Sequence, residues 1–173
     1  MDLRGQNGVS ITLRPDGYQF PDAAQHDWDD ANWLMIEGEV DSPDGAWRFR
    51  DPCMQTHEAQ AFGAWIDAVS RGAVAVHEAG DGNVWPEWTF IEPNVAFGVE
   101  GYEDEDVVLR VYFSLESAPE WAGDERRSAW YRFFLGCRMR REDVRSAGQT
   151  WLSELARWPE RGERGELGSD AGD

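Results

Sequence analysis

Acidic residues are concentrated in two short stretches of the sequence, and their spacing is the first feature that could indicate a metal-binding or partner-binding site. Asp27, Asp29 and Asp30 surround Trp28, and His26 precedes them, as in loops that bind hard metal ions. The stretch lacks both the central glycine and the distal glutamate of a calcium-binding loop. We therefore interpret it as a solvated acidic loop, and we expect no metal or other cofactor.

The second acidic stretch separates two segments whose apolar residues alternate with polar ones. A short run of charges between two such segments is typical of the exposed tip of a hairpin. We therefore predict a charged turn here rather than a metal site. The acids of this tip are Glu103, Asp104, Glu105 and Asp106.

Three residues offer weaker catalytic alternatives. Cys53 and His57 lie four residues apart near a predicted helix start, but a nucleophile also requires an orienting third group and an oxyanion site. Glu92 is a lone carboxylate before Pro93, and one carboxylate without a partner defines no reaction. Since no nucleophile elbow, phosphate loop or dinucleotide fingerprint is present, we predict a protein that is not an enzyme. A small enzyme that uses Glu92, or Cys53 with His57, is the less favoured alternative.

Most of the elements that position these residues are predicted strands. Apolar and polar residues alternate over residues 107–115, which is the period of a strand with one buried face. Short connections on either side indicate an antiparallel meander. Further strands are predicted at residues 10–14, 18–20, 33–40, 47–50, 88–92, 95–99 and 130–139.

Two amphipathic helices complete the predicted fold, at residues 56–70 and at about 141–157, the second ending before Pro159. The fold class is therefore α+β, with a curved, mostly antiparallel sheet of seven or eight strands and one helix inserted mid-chain and one C-terminal. We assign residues 1–158 to a single domain and residues 159–173 to a disordered acidic tail. The predicted core comprises Phe90, Phe97, Leu109, Val111, Phe113, Phe133, Leu135, Trp65 and Trp151.

The charge of the chain narrows the classes of partner. The formal net charge is −18, from 34 acidic and 16 basic residues, and every basic residue is arginine. Without lysine, Schiff-base and P-loop lysine chemistry is excluded, and the acidic excess disfavours direct binding to nucleic acid or to an anionic membrane. Residues 22–45 carry eight acids and no arginine. This concentration favours electrostatic steering of a basic partner, with solubility as the simpler alternative.

The sequence also indicates a compartment. Its first residues are polar rather than an apolar signal sequence, and no apolar run approaches transmembrane length. We therefore expect a cytoplasmic protein in which Cys53 and Cys137 are reduced and buried as small hydrophobic residues.

An ordered series of short motifs between about Gly17 and Arg161 resembles the WapI-type bacterial immunity proteins and their relatives. Tryptophan and proline recur in these motifs at positions typical of core and turns. The series consists of Trp33–Ile36, Trp47, Asp51-Pro52-Cys53, Ala64-Trp65-Ile66, Trp88–Asn94, Ala118–Trp121, Trp151-Leu152 and Trp158–Arg161.

The resemblance implies a small protein that neutralises a cognate bacterial toxin, often a nuclease, by stoichiometric binding and without a cofactor. It transfers no interface residues. From charge and exposed aromatic content, we expect a basic toxin domain to contact the two acidic loops. A carbohydrate-binding module that stacks sugar on exposed tryptophan is the alternative from another class. The predicted contact residues are Asp27, Trp28, Asp29, Asp30, Glu103, Asp104, Glu105 and Asp106.

Overall fold

The computed structural model describes residues 1–22, 28–76 and 85–162 of the chain, and in them the α+β class is confirmed. Eight strands form two antiparallel sheets of four, each with its strands in sequence order. The strands are β1 (Asp2–Arg4), β2 (Ser10–Tyr18), β3 (Trp33–Ser42), β4 (Gly45–Gln55), β5 (Trp88–Thr89), β6 (Val95–Glu103), β7 (Asp106–Phe113) and β8 (Phe133–Arg140). The helices are α1 (Trp28–Asn32), α2 (Thr56–Ser70), α3 (Asp124–Ser128) and α4 (Arg141–Leu155), with two short 3-10 helices at Leu115–Ser117 and Glu120–Ala122.

The first sheet contains β1 to β4 and differs from the prediction at β2. Two short strands were expected on either side of a turn at residues 15–17, but β2 runs continuously through Pro15 and takes up the irregularity as a bulge before Gly17. On the inner face of β3, Gly38 lies directly beneath the Phe49 ring, where a Cβ atom would clash. The glycine therefore lets the aromatic ring pack closely against the strand.

The second sheet contains β5 to β8, and its register pairs Phe113 of β7 with Phe133 of β8. The last strand begins at Phe133 rather than at Trp130 as predicted, because Tyr131 adopts a positive φ of 61° that interrupts the extended backbone. The strand predicted at residues 88–92 is also shorter, since only Trp88 and Thr89 pair with β6.

The two long helices pack against each other, as their apolar stripes require. The indole Nε1 of Trp151 donates to the carbonyl oxygen of Ala59 at 2.8 Å. Gly63 and Gly148 face Leu152 and Ile66, and a Cβ atom on Gly148 would lie 2.7 Å from the Ile66 Cγ2 atom. These contacts bring the two backbones close together. In the described parts of the chain, no helix is both long and apolar enough to span a membrane.

The core lies between the sheets and the helix pair, and eight of the nine predicted core residues are buried in it. The exception is Trp65, which is only partly buried and stacks on Phe62 with 5.9 Å between ring centroids. Leu152 of α4 is 44% exposed. Phe113 joins the two sheets, because its ring meets Trp47 and Phe49 of β4 edge-on at 5.2 and 6.0 Å.

Candidate partner-binding surface

The first predicted acidic loop is partly helical. Trp28, Asp29 and Asp30 lie in the short helix α1, with both aspartates exposed and the tryptophan half-buried. The Trp28 ring faces the His57 ring of α2 with 5.4 Å between centroids and a tilt of 36°. Asp27 lies outside the residues that the structure describes. The described part of this loop is therefore an acidic surface next to Trp28, whose ring packs against α2.

Asn32 fixes the end of α1. Its side chain is fully buried, and its Nδ2 donates to the carbonyl oxygens of Trp28 and Arg161 at 2.7 and 2.9 Å. Its Oδ1 accepts from the Arg161 amide at 2.8 Å, and its own carbonyl oxygen accepts from the Thr56 hydroxyl at 3.1 Å. A buried amide with its hydrogen-bonding groups satisfied in this way holds a single conformation. The backbone of α1 is therefore attached to both the start of α2 and the C-terminal segment.

Arg161 holds the same loop through a set of contacts that we call the Arg161 clasp. Its guanidinium donates to the carbonyl oxygens of Ala31, Pro21 and Phe20, at 2.7, 2.8 and 2.9 Å. The guanidinium carbon also lies 3.6 Å from the centroid of the Tyr18 ring, within cation–π range. Residues 159–161 begin the predicted tail, yet these contacts tie them to the domain, while residues 163–173 lie outside the described part of the chain.

The second acidic loop is the β6–β7 hairpin tip, as predicted, with a turn at Asp104, whose φ is +50°. Two arginines of the protein itself offset part of its charge. Arg138 forms ion pairs with both acids that flank the turn, and Arg141 lies 3.5 Å from the Glu105 carboxylate. The flanking acids are Glu103 and Asp106. The tip therefore presents a weaker negative field than its sequence suggests.

The two acidic loops lie at opposite ends of α2. Trp28 contacts His57, which is in the first turn of this helix. Arg141, which pairs with the hairpin tip, lies next to Gly72, just past the last turn of the helix; a Cβ atom on Gly72 would be 3.2 Å from the Arg141 side chain. A helix of 15 residues is about 22 Å long at 1.5 Å per residue. The predicted contact residues therefore form two separate patches rather than one site.

The catalytic alternative that uses Cys53 with His57 gains no support from the geometry. Cys53 is fully buried, its Sγ donates to the Asp51 carbonyl oxygen at 3.4 Å, and burial raises the pKa of its thiol far above its usual value. A thiol held protonated is a poor nucleophile. His57 turns its ring towards Trp28. In residues 1–22, 28–76 and 85–162, no three histidine, cysteine or acidic side chains are placed to hold a metal ion.

A third group of acids was missed by sequence reasoning because its members are far apart in the chain. Asp51 of β4 accepts a hydrogen bond from the Asn94 side chain, and Glu92 and Glu116 lie close enough to act on its charge. Burial, followed by the repulsion of Glu116 and Glu92, raises the pKa of Asp51 to about 6, against the opposing effect of the Asn94 hydrogen bond. We call these three acids with Asn94 the seam cluster, since it lies where the edge strand β4 meets the second sheet.

A comparison with protein families identifies the family of the chain. The model of the Immunity protein WapI-like family matches residues 2–159. The chain belongs to this family. No curated protein and no solved structure matches the chain.

Membership of the WapI-like family supports an immunity role, with a protein toxin as the partner and binding rather than catalysis as the activity. The family match covers both acidic loops and the seam cluster. The exposed tryptophans of this immunity protein, which are the side chains a binding surface most often uses, also lie within the matched range. They are Trp85, Trp121 and Trp130, with 56%, 47% and 60% of their surface exposed.

Proposed function

We propose that this immunity protein neutralises a cognate bacterial toxin in the cytoplasm by one-to-one binding to a basic surface of the toxin. The single observation that carries the proposal is the family match over residues 2–159. The net charge of −18 supports a basic partner. A nuclease domain fits best among toxins, because its phosphate-binding cleft must be basic and an acidic protein can occupy it.

The α1 surface is the stronger of the two predicted contacts. Asp29 and Asp30 are exposed on a helix that Asn32 and Arg161 hold in place. Charges on a fixed element steer an approaching partner and lose little conformational entropy when it binds. Trp28 beside them supplies the aromatic anchor that binding hot spots commonly contain.

The hairpin tip is expected to contribute less. Arg138 and Arg141 offset part of its charge, so neutralising the tip would also release two arginines. The loss of negative charge and the gain of free positive charge would then act together on a basic partner. We expect substitutions at α1 to report on steering more cleanly, and we propose the tip as a secondary contact.

Surface plasmon resonance against a catalytically inactive toxin domain encoded beside the immunity gene tests the steering. We expect Asp29→Asn with Asp30→Asn to lower the association rate several-fold at low salt and to flatten its salt dependence. Glu37→Gln with Asp44→Asn removes the same charge from exposed positions on β3 and in the turn that follows it, and is the matched control. Equal association rates for both double variants and the wild type would refute steering by α1.

The anchor is tested separately, through the dissociation rate. Trp28→Ala should raise the dissociation rate at least tenfold while changing association little, as the loss of a hot-spot aromatic does. Trp130→Ala, which removes a more exposed tryptophan from the turn before β8, is the control. If the two variants dissociate equally fast, Trp28 is not the anchor.

Carbohydrate binding is the second candidate, and the exposure of Trp85 and Trp130 is the observation that favours it. Sugar rings stack on the flat face of an exposed indole. Trp121 suits this role less well, because its ring meets Trp47 and Phe133 edge-on at 5.8 and 5.5 Å. Glycan arrays followed by tryptophan fluorescence titration distinguish this candidate from toxin binding.

A further inference from the structure

The last strand of the first sheet, β4, has one side without a neighbouring strand. Alternate residues of a strand direct their backbone N–H and C=O groups to opposite sides. The Leu13 amide donates to the Met1 carbonyl oxygen towards β1, so Thr12 bonds in the other direction, to Glu39 of β3. Glu39 therefore faces β2, and Arg48, opposite it on β4, faces away from the sheet. By the same alternation, the outward-facing residues at positions 46–50, which we call the open edge, are Ala46, Arg48 and Arg50.

The outward backbone groups of the open edge have no backbone partner among the described residues. β4 pairs with β3 alone, and none of the hydrogen bonds of turns and loops involves these groups. The corresponding edge of the second sheet is covered, because Gln6 and Asn7 bond to the outward groups of Gly136 and Arg138 on β8. The open edge therefore offers three N–H donors and three C=O acceptors that the fold itself does not use.

The arginine side chains of the open edge leave its backbone accessible. Arg48 pairs with Glu39 at 2.9 Å and Arg50 pairs with Asp16 at 2.6 Å, so both guanidiniums lie over the sheet and not over the edge. The two arginine side chains are 74% and 54% exposed. Pro52 takes the next outward position and has no N–H to donate, so the edge ends there.

A hollow of about 560 Å³ lies beside the open edge on the outer face of the first sheet. Its lining includes the small side chains of Ser10, Thr12 and Ala46. Asp41, which also lines it, is exposed, lies opposite Ala46 in the register, and forms no ion pair with any described residue. Strands lie about 4.8 Å apart, so a residue added opposite Ala46 would be about 10 Å from Asp41. A lysine or arginine side chain can span that distance over the Ala46 methyl group.

The occupant that fits the open edge is an extended segment of another protein. Only backbone in the strand conformation repeats its N–H and C=O groups at the spacing of the edge, as in β-strand addition. A second copy of this chain fits poorly, because antiparallel pairing centred on Arg48 would place two arginines opposite each other and each copy has a net charge of −18. The unpaired charge beside the edge is that of Asp41, which favours a basic segment.

We propose that the open edge binds an extended basic segment of the toxin as a fifth strand of the first sheet, with a lysine or arginine of that segment lying over Ala46 and reaching Asp41. This inference rests on the proposed function and names a contact on a different element from both acidic loops. The backbone hydrogen bonds form only once the segment is aligned with β4. The contact therefore slows dissociation, whereas the charges of α1 act on association.

Hydrogen exchange, measured residue by residue by NMR, tests the backbone pairing directly. When the inactive toxin domain binds, the outward amides of Ala46, Arg48 and Arg50 should exchange at least tenfold more slowly. The amides of Trp47 and Phe49 already bond to β3 and should change much less. A partner that only touches the surface would not produce this alternation. If the outward amides are unaffected in a complex that forms, the open edge is refuted while the proposed function stands.

Two substitutions at one position provide matched variants. Arg48→Ala removes the side chain and keeps the outward N–H, whereas Arg48→Pro removes both and leaves the bonds to β3 in place. In surface plasmon resonance, Arg48→Pro should dissociate from the toxin domain at least tenfold faster than Arg48→Ala. Circular dichroism and the urea midpoint establish that both variants are folded, and equal rates for two folded variants would overturn the pairing. Should Arg48→Pro not fold, the exchange measurement on the wild type decides.

The basic side chain and the identity of the occupant have their own tests. Asp41→Asn should raise the dissociation rate at least threefold, whereas Asp143→Asn, which neutralises an exposed aspartate in the first turn of α4, should not; equal rates would overturn the contact with Asp41. If the free protein sediments as a dimer whose outward β4 amides are already slow, a second copy is the occupant and the inference is wrong. If the wild type does not bind the toxin domain at any salt concentration, the proposed function fails, and this inference fails with it.

Discussion

Removing the Arg161 clasp should destabilise the protein and loosen the surface that carries Trp28. The guanidinium bond to the Ala31 carbonyl oxygen is the partly buried one, whereas those to Pro21 and Phe20 are exposed. A hydrogen bond from a charged donor contributes about 1.5–3 kcal/mol, and stacking on Tyr18 adds about 0.5–1 kcal/mol. We count only the partly buried bond at full value. Arg161→Ala should therefore lower the free energy of unfolding by about 2–4 kcal/mol.

Urea denaturation measures that change, and hydrogen exchange shows where it acts. Arg157→Ala is the matched control, because this arginine is exposed just beyond the end of α4. Amides of α1 should exchange faster in Arg161→Ala and unchanged in Arg157→Ala, since only the first variant releases the loop before α1. An unfolding free energy within about 0.5 kcal/mol of the wild type, which is the usual range for surface substitutions, would refute the clasp.

Three further predictions concern the core, the seam and the C-terminal residues. Phe113→Ala should lower the free energy of unfolding, measured by urea denaturation, by about 3–5 kcal/mol, because the ring is buried between the sheets. Phe134→Ala should lower it much less, because Phe134 is 39% exposed on the outer face of β8. Equal losses would show that the inner and outer faces are wrongly assigned. Asp51→Asn should stabilise the protein at pH 8 and leave its stability unchanged near pH 4. The reason is that the wild type loses stability as the pH rises from 3.8, the usual pKa of the carboxyl, through about 6, its pKa in the folded protein. Equal shifts of the urea midpoint at pH 8 and pH 4 would contradict this prediction. Truncation after Gly162 should leave the melting temperature unchanged by scanning calorimetry, since Leu167 is the only apolar side chain larger than alanine beyond it; a fall would show that residues 163–173 pack on the domain.

The parts of the fold that depend on local periodicity could be predicted from the sequence. The helix at Thr56–Ser70 was predicted with its observed bounds, because its apolar residues repeat at helical spacing and Gly72 follows with a φ of +70°. The buried face of β7 was predicted as well, because in a strand with alternating apolar and polar residues the apolar set can only be the one that faces the core. In both cases, the signal lies within one segment.

The parts that depend on distant contacts could not be predicted. Alternation does not reveal that the strands divide between two sheets, because it specifies which face is buried and not which strands pair. From the sequence, Arg161 is predicted to belong to a polar tail. Only the structure shows that Tyr18 and the carbonyl oxygens of Ala31 and Phe20 surround its guanidinium. Asp51 and Glu116, 65 positions apart in the printed sequence, meet only because β4 packs beside the 3-10 helix after β7. Such acids carry no shared motif.

The close approach of α2 and α4 has a consequence for how this protein can evolve. At Gly148 a single added methyl group would press against the buried Ile66 side chain, so this part of the scaffold tolerates little change. Exposed acids such as Asp30 are under no such steric constraint, and their replacement leaves the packing intact. Substitutions at such exposed positions can therefore change the surface of the protein while the packing of the helix pair stays as it is.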